Sequence, residues 1–157
     1  MIKNNAYSIW SILIVSLFCI GLVSCQAQST IAPTPPGPPV TSLDEIVGRW
    51  QSKCYSDPCF WTFNADGTYE IWESLGGVNP PTFMDGGKIT LSPDGVFQIQ
   101  TTKGWCLQYD ANPVGSYQAF LIKNDGKPSL LYFQVSEKDM CKERQRHIQH
   151  PLSFVNP

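Results

Sequence analysis

Six cysteines, Cys19, Cys25, Cys54, Cys59, Cys106 and Cys141, carry most of the reactive chemistry of this chain. A thiol can pair as a disulfide, ligate a metal or take a covalent group. The last four fall in the region richest in strand signals. Cys54 and Cys59 flank the turn-rich insert Tyr55-Ser56-Asp57-Pro58. They are too far apart for a Cys-x-x-Cys redox pair. A Cys-x4-Cys followed by two widely separated single cysteines is also not the paired spacing of a zinc site. Of the three pairings open to four cysteines, Cys54–Cys59 with Cys106–Cys141 is favoured. The first closes a hairpin, and the second ties a late strand to the C-terminal segment. Chain-entropy estimates give about 2 kcal/mol for the short loop and about 4 kcal/mol for the long one.

Other chemistry is sparse. His147 and His150 are three apart and could share a helix face, but no cysteine or carboxylate in a metal-binding pattern joins them. They are expected at a solvated helix end. Asp66, Asp94 and Asp125 each precede a glycine in a turn, where the side chain bonds local backbone. No Gly-x-Ser-x-Gly and no phosphate-cradling loop occurs. No catalytic residue, metal site or cofactor is therefore expected, and an enzyme is the least supported class. The formal net charge is -2, with no basic run, so nucleic-acid binding has no electrostatic footprint.

Lys3 precedes an apolar run from Ile9 to Val23, and a polar, proline-rich stretch follows. That is the layout of a secretory signal. The run is shorter than the roughly 20 residues that span a bilayer as a helix. The quartet Leu22-Val23-Ser24-Cys25 resembles the lipobox of bacterial lipoproteins. The resemblance implies removal of residues 1–24 and lipidation of Cys25 as the new N-terminus. The lipid would be a diacylglyceryl group, often joined by an amide-linked chain such as palmitate. Each buried methylene adds about 0.8 kcal/mol of membrane affinity, so two or more chains hold firmly. The implied place is extracytoplasmic, anchored to the cell membrane or outer membrane through Cys25. Ordinary secretion with a free Cys25 is the competing reading.

Residues 25–43 then read as a lipidated cysteine and a tether holding Pro33, Pro35, Pro36, Pro38 and Pro39. Such chain is extended, at about 3.1 Å per residue. Residues 44–157 are long enough for one domain with a real core.

That domain reads as all-β, with about eight short antiparallel strands in an up-and-down barrel and a short C-terminal helix. Three Asp-Gly turns, at Asp66-Gly67, Asp94-Gly95 and Asp125-Gly126, each separate two aromatic or β-branched runs. This is a strong hairpin signal. A further strand is expected from Trp105 to Tyr109. Leu75 to Gly87 shows no apolar periodicity and is expected to be a loop over one end of the barrel. Ser136, with Asp139 three residues on, has a capping-box pattern. Cys141, Arg144 and Ile148 follow on one helical face, and Pro151 stops the run.

Gly48-Arg49-Trp50 resembles the Gly-x-Trp signature of lipocalins. Phe63-Asn64-Ala65-Asp66-Gly67-Thr68-Tyr69 is similar to a hairpin of bacterial lipocalin-like proteins. Gly115-Ser116-Tyr117 and Asp139-Met140-Cys141-Lys142-Glu143-Arg144 resemble later segments of the same sequences. The resemblance implies that Trp50 plugs the closed end of the barrel and that Arg144 stacks on it. The Thr-Asp-Tyr motif of true lipocalins is absent, and the domain is short.

Small barrels are filled by side chains or hold one small molecule. The expected inward set is Trp61, Phe63, Tyr69, Ile71, Ile89, Leu91, Phe97, Ile99, Trp105, Leu107, Tyr109, Tyr117, Ala119, Leu121, Leu131 and Phe133. These are either simply core, or they leave an open end ringed by Trp72, Phe83, Trp105 and Tyr109 that takes a small apolar ligand. Two functions follow. One is a membrane-anchored envelope lipoprotein binding a small hydrophobic ligand. The other is a solid-core structural or protein-interaction module whose partner is not legible.

Overall fold

Three Asp-Gly hairpins and the paired aromatic runs around them produce an up-and-down meander that closes on itself. The computed structural model describes residues 36–54, 57–74, 80–108, 112–137 and 139–155. The expected signal, the lipobox and Cys25 lie outside the described residues. Eight antiparallel strands follow one another around a closed barrel. They are β1 (Gly48–Cys54), β2 (Asp57–Phe63), β3 (Thr68–Glu73), β4 (Thr82–Leu91), β5 (Val96–Gly104), β6 (Val114–Asn124), β7 (Lys127–Val135) and β8 (Leu152–Phe154). One helix, α1 (Lys142–Ile148), sits between β7 and β8.

The Asp-Gly turns behave as their chemistry dictates. Asp66 Oδ1 accepts from Thr68 N at 2.9 Å and Thr68 Oγ1 at 2.6 Å. Gly67 follows at φ 77, in the left-handed region that favours glycine. Strict alternation on β1, β2 and β3 turns Trp50, Trp61, Phe63, Tyr69 and Ile71 inward. Ile89, Phe97, Ile99, Tyr117, Ala119, Leu121 and Leu131 join them, with Leu91, Trp105 and Phe133 packed at the margin. Most of the expected inward set is therefore core. Leu107 is not: it is 39% exposed. Tyr109 lies outside the described residues.

Four expectations about elements need correction. Of the expected loop, residues 75–79 lie outside the described residues, and Thr82–Gly87 is not loop but the first part of β4. Pairing shifts register between Ile71 and Trp72 on one side and between Gly86 and Gly87 on the other. Those irregularities put Met84, Asp85, Gly86 and Gly87 in a row of buried positions. They erase the period of two by which a strand is recognised. Trp105–Gln108 is a 3-10 turn rather than a strand. The helix begins at Lys142 with Cys141 as N-cap, not at Ser136. Leu152–Phe154, unmarked in the sequence, is β8, which pairs with both β1 and β7 and closes the barrel.

Part of the expected tether also joins the barrel. Val40 N donates to Ala119 O at 2.8 Å, and Leu121 N donates to Pro38 O at 3.0 Å. Val40 is buried. These bonds place the segment beside β6 where β5, whose pairing ends at Gln118, no longer reaches. The chain then makes a 3-10 turn, Leu43–Glu45, held by a capping box between Ser42 and Glu45. Ile46 and Trp50 follow, both fully buried, and Trp50 Nε1 donates to Ile46 O at 2.8 Å.

If β8 is an integral strand, Leu152→Ala should lower the unfolding free energy by about 2–5 kcal/mol in a urea titration. A loss under about 0.5 kcal/mol would mean that β8 is a loosely attached tail.

Candidate functional site

The buried ionisable and sulfur-bearing groups of the barrel gather at the end opposite Trp50, under α1. At its centre is Arg144, whose side chain is fully buried with that of Asp139. Arg144 Nε donates to Asp139 Oδ2 and Nη2 donates to Asp139 Oδ1, each at 2.7 Å. Nη1 donates to Thr101 Oγ1 at 2.8 Å, and Nη2 reaches the Pro113 carbonyl at 3.3 Å. Tyr117 OH donates to Asp139 Oδ2. Gly115 is required here. A Cβ at that position would stand 2.6 Å from both Asp139 Oδ2 and Tyr117 OH.

The network continues into the barrel. Thr101 Oγ1 donates to Asp85 Oδ2 at 2.9 Å, and Tyr69 OH donates to the same oxygen at 2.7 Å. Burial pushes the Asp85 carboxyl up despite these donors. Burial, reinforced by the Asp85 charge, pushes the Tyr69 phenol up as well. Burial also works against the charge on Arg144. The hydrogen bonds and charge of Asp139 outweigh it and hold the guanidinium above its ordinary value. Arg144 and Asp139 are fully answered within this network, which is how buried charge is tolerated, while Asp85 Oδ1 is left without a partner.

Both expected disulfides are present, Cys54–Cys59 and Cys106–Cys141, and both belong to this end. Cys106 lies in the 3-10 turn and Cys141 caps α1, so the second bridge pins the helix. His147, expected in solvent, is instead 5% exposed, and burial depresses it to about 4. Its Nε2 lies 3.2 Å from Cys54 Sγ. A disulfide sulfur has no hydrogen, so the imidazole is the donor. Cys54, Cys59 and His147 bring their ligand atoms within 4.8 Å of one another, a metal-like cluster. With both sulfurs joined to each other, no thiolate is on offer.

The other expected site residues do not come together. Trp72 and Phe83 pack edge to face at 5.2 Å on the outer wall. Trp72 Nε1 donates to Glu70 there, and Lys103 lies over the Phe83 ring. Their side chains follow the outward register of β3 and β4 and do not ring a mouth. Trp105 packs beneath α1, and Tyr109 is outside the described residues. Arg144 does not stack on Trp50. Trp50 meets Phe154 edge to face at 5.0 Å at one end, while Arg144 pairs with Asp139 at the other. The cavity under α1, lined by Ile71, Met84, Trp105 and Arg144 among others, measures about 10 Å³. That is at most the space of one water. Two larger spaces are external: a groove of about 690 Å³ between Pro39–Thr41, the β4–β5 turn and β6, and a cleft of about 240 Å³ beside α1. Comparison of the chain with family models, curated proteins and solved structures gave no match.

Asp139→Asn should cost about 3–5 kcal/mol in denaturant unfolding, because it strands a buried guanidinium. Adding Arg144→Met to that variant should recover part of the loss. A second outcome concerns pH. The unfolded His147 takes a proton near 6.5, while the folded one stays neutral to about 4. Stability should therefore fall as pH drops through that window, by on the order of 3 kcal/mol at its acid end. Asp85 acts in the opposite direction: its raised carboxyl contributes stability at acid pH that is lost as pH rises. Unfolding free energies measured across the window should lose most of their slope in His147→Gln.

Proposed function

We propose that this chain is an exported, lipid-anchored protein of the cell envelope whose barrel acts through its outer surface, as a solid-core interaction module. One observation carries the reading of the barrel: its lumen is occupied by its own side chains. Trp61, Phe63, Tyr69, Phe97 and Tyr117 are each 1% exposed or less. An eight-stranded barrel has room for such a filling or for one small ligand, not both. Pockets that take small molecules measure about 300–1,000 Å³, and the residual space under α1 is about 10 Å³. The likeness to lipocalins on this reading covers the strand order and the Trp50 plug, and stops at the ligand cavity.

Export and anchoring rest on the signal-like run and the lipobox-like quartet ending in Cys25. Two disulfides fit that route, since they persist in oxidising compartments. The reading assigns no catalytic role, no cofactor and no nucleic-acid partner. The Arg144 network bonds within itself, and the space beside it is too small for a substrate.

Two measurements test it. Cells fed a labelled fatty acid should incorporate it into the wild-type chain and not into Cys25→Ser, which should also leave the membrane fraction. Unlabelled wild-type chain would sink the anchor. Fatty-acid and retinoid-like probes should leave the tryptophan fluorescence of the purified protein unchanged. Saturable quenching would overturn the solid barrel and restore the ligand-binding reading.

A further inference from the structure

The cleft beside α1 is lined by Lys53, Arg146, His147 and His150. No carboxylate is among these lining residues, on a chain whose formal net charge is -2. Lys53 is exposed on the outer face of β1, next to the inward Cys54. Arg146 and His147 come from the last turn of α1, and His150 from just beyond it. Lys53, far away in sequence, meets the other three because α1 is docked on the barrel end by Arg144 and by the Cys106–Cys141 bridge.

His147 is the informative member. With Nε2 against Cys54 Sγ, its Nδ1 is buried and has no partner. A buried polar atom left without a partner costs about 1–3 kcal/mol. With Nε2 donating, Nδ1 is an acceptor, so the wall is short of a hydrogen-bond donor such as a ligand hydroxyl. Net-positive clefts concentrate anions. Arg146, 3.9 Å from Glu143 on the same helix, carries the planar fork that matches phosphate oxygens, and Lys53 supplies a point charge across from it.

We propose that this cleft is an oxyanion site that binds a phosphate group. Lys53 and Arg146 hold the phosphate oxygens, His150 closes the open side, and His147 Nδ1 accepts from a hydroxyl of the ligand, on a protonated phosphate or on a glycerol beside it. The volume of about 240 Å³ takes the phosphate and the first atoms of whatever carries it. The carrier is a phospholipid headgroup or a free phosphate compound, and both present anionic phosphate oxygens to Lys53 and Arg146. The site is independent of the proposed anchor and of what the lumen holds.

The test uses the full chain in uncharged detergent micelles, with the His147 and His150 ring resonances followed by NMR. One titration adds inorganic phosphate. A second adds glycerophosphoglycerol, a headgroup phosphodiester without acyl chains. A saturable shift of the His147 ring is expected. Saturation by phosphate alone points to a free phosphate compound, and saturation by the phosphodiester points to a lipid headgroup. Lys53→Gln should weaken binding about tenfold with its thermal unfolding unchanged, the loss expected for one charge-assisted bond. Lys53→Arg should restore it. Three results overturn the site: no saturable shift with either probe, equal shifts from chloride at matched ionic strength, or undiminished binding in Lys53→Gln.

Discussion

A guanidinium with no access to water governs one whole end of this molecule. Arg144 is fully buried, so its charge and its donors must be answered by protein. The answers come from different parts of the chain: Asp139 after β7, Thr101 on β5, and the Pro113 carbonyl at the start of β6. Meeting all of them at once leaves α1 little choice of position. It lies across the barrel end, Ile148 and His147 are turned inward with Arg144, and the space beneath shrinks to about 10 Å³. Buried ion pairs contribute little net stability compared with apolar packing, but removing one partner is costly. The pair therefore specifies where the helix sits more than it strengthens the fold. A closed lumen and an external cleft beside α1 are both consequences of that placement.

The opposite end is closed by other means. Trp50, Ile46, Val40 and Phe154 pack there, with one indole hydrogen bond to the Ile46 carbonyl. The segment ahead of β1 runs beside β6, where β5 has stopped pairing, and so covers a length of strand edge that would otherwise be exposed. Phe120, an outward position on β6, becomes buried beneath it, bridged to Pro39.

How much of this was legible follows from how local each signal is. Asp-Gly turns act within four residues, so the three hairpins around Gly67, Gly95 and Gly126 can be read directly. The period of two works wherever register is unbroken, which is why the inward faces of β1, β2, β3 and β5 were readable. It fails in β4 because two register shifts put four buried residues in succession. Three residues of β8 are too few to show any period. Disulfide partners could be ranked because one pair spans only a turn and the other then follows. The helix end was the least legible. The burial of Arg144 and His147 depends on partners tens of residues away. Family resemblance misplaced Arg144, since it carried over a stacking role on Trp50 that this chain gives to Phe154.

The distribution of disulfides fits this asymmetry. Both lie at the helix end, where charge is buried; among the described residues neither is at the Trp50 end, where packing is apolar. Apolar packing is favourable in proportion to the area it removes from water. A buried polar network roughly breaks even after desolvation, and here it also leaves Asp85 Oδ1 and His147 Nδ1 without partners. The two crosslinks restrict the unfolded chain instead, by about 2 kcal/mol for the short loop and about 4 kcal/mol for the long one on an entropic model. They strengthen the end that its own contacts hold least well. The helix end accordingly keeps Lys53, Arg146 and His150 around its cleft and tolerates a buried His147 whose Nδ1 has no partner. The Cys106–Cys141 link holds α1 where apolar packing does not, and that placement is what forms the cleft beside it.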